Sequence, residues 1–197
     1  MNRPAKVGVV AHGDRLDVNG RVILTAVVWG AAAGVGIDAN ALRAKIPSWS
    51  RLPKSVRGTV YQATATSRLL LDKDGIFNMT AVVDGATHRW RVWSAGVGDA
   101  TRIGGAFKAF PGASKRDGRA HLLIAEKTGY VSRILTAALM RPGYHQSRPG
   151  VHTATFRRAT ITTEPAQVWV ADGEELPATT SFECAVIPDG LPLLLPG

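Results

Sequence analysis

The chain has 197 residues, of which 45% are hydrophobic and 20% are charged, and this composition excludes general disorder. The formal net charge of +9 favours anionic partners such as nucleotide phosphates, acidic lipid headgroups or nucleic acid, without choosing among them. The single cysteine, Cys184, excludes an internal disulfide framework or multi-cysteine metal site and indicates a reducing compartment.

The N-terminal stretch lacks a sustained apolar core, so it is a poor secretory signal peptide. Residues 22–37 are uncharged, but they are too few for a membrane span and are rich in glycine and alanine. They predict a buried strand that runs into a glycine-rich loop.

Turn signals separate a series of β-rich runs. In Asn-Gly and Asp-Gly pairs both residues tolerate a positive φ, so each pair predicts a tight turn. The pairs are Asn19-Gly20, Asp74-Gly75, Asp84-Gly85, Asp117-Gly118, Asp172-Gly173 and Asp189-Gly190. The run FNMTAVV before Asp84 and the run THRWRVW after Gly85 predict one hairpin. HLLIAE, TATFRRATITTE, QVWVA, SFECAVI and LPLLL predict further strands.

Two segments have helical rather than alternating periodicity, namely residues 55–71 and residues 128–140. Residues 46–54 form the most loop-like stretch, and no break divides the chain. We therefore predict a single domain over residues 1–197. Its fold class is mainly β, a two-sheet antiparallel β-sandwich with about two helices.

Several patterns that suggest chemistry are incomplete. The glycine-rich segment of residues 96–105 lacks both the GxxxxGK[ST] pattern and the dinucleotide-binding spacing, which favours a tightly packed loop. The five histidines have no metal-ligand spacing on one helix, which argues against zinc. A Ser-His-Asp triad stays open, but no nucleophile-elbow motif supports one.

Five blocks of sequence resemble a known family. VWVADGEELPATTSFECAVIPDGLPLLLP is similar to the closing segment of the bacterial diacylglycerol kinases and sphingosine-kinase-like lipid kinases, in the NAD kinase/diacylglycerol kinase-like superfamily. GGAFKAFPGASKRDGRAHLLIAE, GYHQSRPGV, RLDVNGRVILTAVVWGAAAGVGIDA and RGTVYQATATSRLL resemble further family segments, in family order. The resemblance implies the C-terminal β-sandwich domain of a lipid kinase. The family's N-terminal α/β half, with its GGDGT loop, is not in this sequence.

The resemblance also implies roles for individual residues. Asp172 matches the aspartate that accepts the proton of the lipid hydroxyl, and Glu174 matches a position at the nucleotide or metal site. Asp117, with the main-chain carbonyls of Ser114 and Arg119, matches a Mg²⁺ site. ATP would be the phosphate donor, bound mostly by the N-terminal half. From spacing alone, Asp172 is better explained as a hairpin-turn residue before glycine, and only the surrounding resemblance favours the catalytic role. For Asp117 a turn residue before glycine is as good an explanation as a metal ligand.

The leading hypothesis is the C-terminal half of an ATP-dependent, diacylglycerol-kinase-like lipid kinase that is inactive without its N-terminal half. Its expected partners are a lipid substrate, an anionic membrane surface and a separate N-terminal kinase domain, with no nucleic acid. The expected location is cytoplasmic and peripheral at the inner face of the membrane. Residues 46–54, with Trp49, are either the membrane contact or an ordinary loop with one packed tryptophan.

Two alternatives stay open. The first is a non-catalytic module that binds a lipid, a nucleotide or a partner chain, and the initiator-like Met1 of a short reading frame favours it. The second is a basic nucleic-acid-binding β domain, which only the net charge supports.

Overall fold

The structure is a computed structural model that describes residues 9–70, 75–105 and 107–195. Within these ranges it contains nine strands, three α-helices and two short 3₁₀ helices. The strands are β1 Val9–Val18, β2 Arg21–Ile23, β3 Ala26–Gly30, β4 Phe77–Val83, β5 Ala86–Gly98, β6 Ala120–Glu126, β7 Val151–Phe156, β8 Arg158–Ala171 and β9 Glu174–Leu195. The helices are α1 Ala31–Ala44, α2 Lys54–Leu70 and α3 Tyr130–Met140, with 3₁₀ turns at Trp49–Arg51 and His145–Ser147.

All strand pairings are antiparallel, and they follow the order β2-β1-β9-β8-β3-β5-β6-β7. The strand β4 pairs with the N-terminal parts of β5 and β8, whereas β3 pairs with their C-terminal parts. The hydrogen-bonded network thus folds over on itself, and its two halves enclose one core. The predicted mainly β, sandwich-like fold is confirmed.

The core forms where the strands alternate between buried and exposed positions, as in β4, whose odd-numbered residues are buried. Aromatic rings from different strands meet at its centre. Trp29 in β3 and Trp169 in β8 both make edge-to-face contacts with Phe182 in β9, at centroid separations of 4.8 and 5.6 Å. These contacts fix β3, β8 and β9 relative to one another beneath the candidate site.

The hairpin turns behave largely as their sequences predict. Asn19, Asp84 and Asp172 all have positive φ and each is followed by a glycine at the tip of a hairpin. Asp189 also has a positive φ of 53°, but it lies inside β9 next to a register shift opposite β1, so this pair forms a bulge and not a hairpin turn. Asp74 lies outside the described residues.

Two of the helices match prediction, and one corrects it. The helices predicted at residues 55–71 and 128–140 are α2 and α3, with Leu71 outside the described residues. The predicted glycine-rich loop is wrong, because its residues 31–37 belong to α1. Gly34 explains the packing there, since a side chain at this position would collide with the guanidinium group of Arg68 in α2. Arg68 in turn donates to the carbonyl oxygen of Gly34 and to Asp38, at 3.2 and 2.7 Å.

No helix in the described part of the chain is long and apolar enough to cross a membrane.

Candidate functional site

Asp172 occupies the tip of the β8–β9 hairpin, and its carboxylate reaches back to the segment between β2 and β3. Its Oδ2 atom accepts a hydrogen bond from the amide of Leu24 at 2.6 Å. Its Oδ1 atom accepts from the amide and hydroxyl of Thr25, at 2.7 and 2.6 Å, and from the amide of Ala26 at 3.3 Å. The Asp172 amide donates to the carbonyl of Ala26 at 3.0 Å. Asp172 is therefore a solvent-exposed carboxylate in a fixed orientation.

A second carboxylate, that of Asp99, helps to hold the segment between β2 and β3 together with Lys115. Asp99, at the end of β5, is 1% exposed and accepts a hydrogen bond from Lys115 at 2.9 Å. Lys115 also donates to the carbonyl of Leu24 at 2.6 Å, and the Asp99 amide donates to the carbonyl of Thr25 at 3.2 Å. Burial raises the pKa of Asp99, Lys115 opposes this shift, and the charge of Asp172 adds to it.

The three residues predicted to bind Mg²⁺ lie together in the loop before β6. Asp117 accepts a hydrogen bond from the amide of Arg119 at 3.1 Å, and the Ser114 hydroxyl accepts from the amide of Arg116 at 3.2 Å. Both side chains therefore cap the backbone of their own loop. Among the described residues, no group of three or more His, Cys, Asp or Glu side chains is placed to hold a metal.

The buried side chain of Asp14 brings another carboxylate to this loop. Its Oδ2 atom accepts a hydrogen bond from the amide of Gly118 at 2.6 Å, and its own amide donates to the carbonyl of Lys115 at 2.6 Å. Carboxylates and main-chain carbonyls are the hard oxygen donors that Mg²⁺ prefers. The donor chemistry of Asp14, Asp117 and the loop carbonyls thus fits a magnesium ion, although the protein side chains alone do not form a cage.

Glu174 starts β9 and projects into solvent. Its side chain is 74% exposed, and its carboxylate lies 3.3 Å from the guanidinium of Arg21. It lines an open cleft of about 1190 Å³ between the β8–β9 turn and the α1–α2 connection, together with Glu175 and the cationic residues Arg43 and Arg57. The cleft therefore carries positive and negative side chains beside the carboxylate of Glu174.

Two smaller, mainly apolar pockets adjoin this cleft one after the other, and together they are called here the apolar channel. Its first part, about 230 Å³, begins at Asp172 and Thr25 and is walled by apolar residues of β3, α1, β8 and the loop after β5: Ala26, Val28, Ala32, Val35, Ile103, Phe107 and Val170. A second part of about 80 Å³ shares four of these walls and ends at Arg68, Trp93, Ala137 and Met140. The two pockets thus lie in a row from the hairpin carboxylate toward the region between α2 and α3.

Other segments singled out in the sequence have structural explanations. In residues 46–54 the side chain of Trp49 is buried in a 3₁₀ turn that lines the open cleft, so this tryptophan is packed against the domain. Residues 96–98 of the glycine-rich segment end β5, where a side chain at Gly98 would collide with Phe110. That close packing, not phosphate binding, accounts for this glycine.

Solved structures with this fold place the site in context. A putative diacylglycerol kinase from Bacillus anthracis str. Sterne matches 95% of this chain with 17% identity and a TM-score of 0.71, over 57% of its own length. A second putative diacylglycerol kinase from the same organism matches 95% of this chain with 15% identity and a TM-score of 0.69, over 58% of its length. The chain thus spans a little over half the length of these proteins. The fold is that of a diacylglycerol-kinase-like C-terminal domain.

A protein-family model gives the assignment at the level of sequence. The model described as the YegS C-terminal NAD kinase beta sandwich-like domain matches residues 31–195, and the chain belongs to this family. No curated protein matches the sequence.

The structure also identifies site residues that sequence reasoning missed. Asp99 lies in a segment that was interpreted only as a packed loop, and Lys115 is one of many basic residues in its part of the chain. One available signal was an aspartate placed directly after an uncharged strand, residues 92–98, because a carboxylate at the end of a buried strand needs a partner. Nothing in the local sequence identifies that partner as Lys115.

Proposed function

We propose that this chain is the C-terminal half of an ATP-dependent lipid kinase that phosphorylates a lipid hydroxyl and needs a nucleotide-binding N-terminal half for activity. The structural relatives are described as putative diacylglycerol kinases, which supports a lipid substrate. The observation that carries the proposal is the apolar channel that opens beside the carboxylate of Asp172. An acyl chain suits the channel walls, and its glycerol end would then lie at the hairpin tip.

Asp172 is the proposed proton acceptor. Its Oδ1 atom already accepts three hydrogen bonds, but Oδ2 accepts one, from Leu24, and keeps a lone pair for a substrate hydroxyl. A carboxylate is a weak base beside an alcohol, so Asp172 would orient the hydroxyl and take its proton late in the transfer. The hydrogen bonds that residues 24–26 donate to this carboxylate, called here the clamp, hold the carboxylate in position for this role.

The open cleft is the proposed side of the domain that faces the nucleotide. Arg43 and Arg57 supply positive charge for phosphate groups, and Glu174 stands at the cleft's edge as the residue assigned to the nucleotide or metal site. The other wall, which cradles the γ-phosphate of ATP, would come from the N-terminal half. This arrangement suits a cytoplasmic protein that works at the surface of an anionic membrane.

The proposed Mg²⁺ site lies beside Lys115. Its ligands would be the side chains of Asp117 and Asp14 and the carbonyls of Ser114 and Arg119. The ion would supply local charge neutralisation and brace the loop that carries Lys115. Lys115 then keeps its contacts with Asp99 and with the carbonyl of Leu24.

A reconstitution assay tests the proposal. The chain alone should transfer no phosphate from [γ-³²P]ATP to diacylglycerol in detergent micelles, because no described loop provides a phosphate cradle. Adding a family-type N-terminal half, fused or as a separate chain, should produce turnover. Asp172→Asn should then lower kcat by roughly 100-fold or more. Robust phosphorylation by the chain alone, or a reconstituted enzyme indifferent to Asp172→Asn, would overturn the proposal.

A matched variant separates catalysis from folding. Asp172→Asn also weakens the clamp on residues 24–26, so its thermal midpoint should be measured beside its turnover. Thr25→Val removes one hydrogen bond of the same clamp but keeps the carboxylate. If Thr25→Val lowers kcat as much as Asp172→Asn, the role of Asp172 is only structural.

That outcome would favour the second candidate function, a non-catalytic lipid-binding module. The four hydrogen bonds that Asp172 accepts are the observation in its favour, because they suffice to explain an aspartate at this position. The module would bind a fluorescent diacylglycerol without turnover in any reconstituted mixture.

A further inference from the structure

The outer face of α3 is apolar, although it lies against solvent. Val131 is 69% exposed and Leu135 is 46% exposed, and with the exposed Ala138 they form one stripe at helical spacing. The inner side of this helix is also apolar, with Ile134, Ala137, Leu139 and Met140 half-buried around the buried Thr136. A helix that packed only on its own domain would carry polar residues on its outer side, so this apolar outer face is available for contact with something outside the domain.

Exposed aromatic side chains lie at both ends of the helix. Tyr130, the first residue of α3, is 39% exposed, and Tyr144, just beyond its last turn, is 70% exposed. The amide of Tyr144 donates to the carbonyl of Leu139 at 2.9 Å, which holds this tyrosine against the end of the helix. Tyrosine is suited to a boundary between apolar and aqueous surroundings, because its ring is apolar and its hydroxyl is polar.

After Glu126 the charged residues of this part of the chain have a single sign. Lys127 precedes α3, Arg141 follows it, and both are exposed. The sequence from residue 127 to residue 163 contains no aspartate or glutamate. Cations at both ends of a short apolar helix can extend toward phosphate groups while the helix face enters an apolar layer.

The inner side of the same helix lines one end of the apolar channel. Ala137 and Met140 line the end of the channel that lies farthest from Asp172. The helix α3 therefore lies at the end opposite the site where a phosphate donor must approach. An N-terminal nucleotide-binding half would approach at the Asp172 end, which leaves the outer face of α3 for another partner.

We propose that this α3 surface docks the protein on an anionic phospholipid bilayer. The surface consists of Tyr130, Val131, Leu135, Ala138 and Tyr144, with Lys127 and Arg141 at its ends. The inference deepens the proposed function, on which it rests for the supply of a lipid substrate. With 11 residues, α3 is too short to cross a bilayer and would lie in the headgroup layer parallel to the membrane. Lipid tails would then adjoin the α3 end of the channel.

Charge complementarity selects this occupant over a second copy of the chain. Two α3 surfaces brought face to face would oppose Lys127 and Arg141 to the same cations of the partner, which disfavours a symmetric dimer. The proposal also moves the membrane contact from residues 46–54, because the tryptophan that suggested that loop is buried.

Vesicle co-sedimentation of the full chain tests the docking surface. Vesicles of phosphatidylcholine with phosphatidylglycerol, without diacylglycerol or ATP, should bind the chain, and binding should weaken with added salt or with pure phosphatidylcholine. Leu135→Asp should weaken the apparent affinity roughly tenfold, as expected for loss of one inserted apolar side chain. Lys127→Glu combined with Arg141→Glu should weaken it by a similar factor or more.

Two control variants carry equivalent changes elsewhere. Leu42→Asp alters a residue of α1 that is 40% exposed. Arg51→Glu reverses a charge within residues 46–54, the segment that the sequence suggested as a membrane contact. Both should bind vesicles like the unaltered chain. Circular dichroism checks the fold of every variant, and Leu135→Ser replaces Leu135→Asp if the latter does not fold.

The proposal is overturned if the Leu135 variants bind like the unaltered chain, or if Leu42→Asp or Arg51→Glu is impaired as strongly. It is also overturned if size-exclusion chromatography with light scattering shows a dimer that Leu135→Asp dissociates while vesicle binding is unchanged. Because these vesicles contain no substrate and the kinase assay uses micelles, failure of membrane docking and failure of the lipid-kinase proposal are separate results.

Discussion

The ammonium group of Lys115 lies 2.9 Å from the carboxylate of Asp99 and donates a second hydrogen bond, of 2.6 Å, to the carbonyl of Leu24. Asp99 is almost completely buried, whereas the side chain of Lys115 is 27% exposed. Since the backbone of residues 24–26 also donates to Asp172, the Lys115–Asp99 pair determines where the hairpin carboxylate is held. The pair therefore links the stability of the domain to the geometry of the candidate site.

Lys115→Met should destabilise the domain in a pH-dependent way. Burial raises the folded-state pKa of Asp99 above its ordinary value of 3.8, so stability falls as the pH rises from that value to the folded-state pKa. Removing Lys115 raises this pKa further and extends the loss to higher pH. Near neutral pH we expect a loss of roughly 2–4 kcal/mol in the free energy of unfolding, measured by urea denaturation.

A double variant provides the control for that experiment. Asp99→Asn combined with Lys115→Met leaves no unpaired buried charge, so it should be more stable at neutral pH than Lys115→Met alone. If the single and double variants unfold at the same urea concentration across the pH range, the pair does not act as described.

His145 should make the domain sensitive to mild acid. Its ring is fully buried and lies 3.1 Å from the carbonyl of Ala109 through Nε2, and burial lowers its pKa below the ordinary 6.5. The unfolded chain therefore takes up a proton first, and stability is lost as the pH falls from about 6.5 through the folded-state pKa. The slope per histidine is at most about 1.4 kcal/mol per pH unit.

His145→Gln should flatten this dependence between about pH 5 and 6.5, the range set by an ordinary histidine pKa. Burial also lowers the pKa of His121, so His121→Gln should remove a separate share of the slope. An unchanged slope in the His145 variant, measured by chemical denaturation at each pH, would show that its burial is not linked to protonation.

Two helical glycines should respond oppositely to alanine. At Gly34 in α1 a side chain would displace the Arg68 guanidinium from its hydrogen bonds to the Gly34 carbonyl and Asp38, so Gly34→Ala should cost about 1 kcal/mol in the free energy of unfolding. At Gly58 in α2 a side chain would meet nothing within 4 Å, so Gly58→Ala should add about 0.5–1 kcal/mol. Thermal unfolding measures both, and stabilisation by Gly34→Ala would contradict the packing of α1 against α2.

Magnesium should raise the thermal midpoint through the loop before β6. At ten times its Kd the ion would add about 1.4 kcal/mol, or about 3–6 °C for a domain of this size. Asp117→Asn should abolish this increase. Asp189→Asn alters the exposed aspartate of another Asp-Gly pair and should retain it. Equal shifts in both variants, at matched ionic strength, would place the ion elsewhere.

Local backbone preference explains why much of the fold could be predicted. Asp84-Gly85 and Asp172-Gly173 form turns because both residues of each pair accept positive φ, which can be inferred from the dipeptide alone. Asp189-Gly190 has the same chemistry but forms a bulge, because its role depends on pairing with β1 far away in the chain. Apolar periodicity did not predict the helix α1, because its buried residues are the small residues Ala31, Ala33, Gly34 and Ala39. They form no clear apolar stripe at helical spacing.

Residues of the candidate site could be predicted only at positions where the family resemblance matches individual residues. Resemblance pointed to Asp172, Glu174 and Asp117. It did not show that the Asp172 carboxylate binds the backbone of residues 24–26, which are nearly 150 positions earlier in the chain. The contact between Asp99 and Lys115 likewise depends on how β5 and the loop before β6 are brought together.

The pairing of β1 with β9 has a kinetic consequence. Val9 lies opposite Leu195, and the ladder continues to Val18 opposite Cys184, so the two ends of the described chain are adjacent strands. Nearly the entire domain must close as one loop before these contacts form, which gives the ladder a high contact order and makes it slow to assemble. Until then β9 exposes one edge of backbone hydrogen-bonding groups, so newly synthesised protein passes through a stage in which intermolecular strand pairing competes with folding.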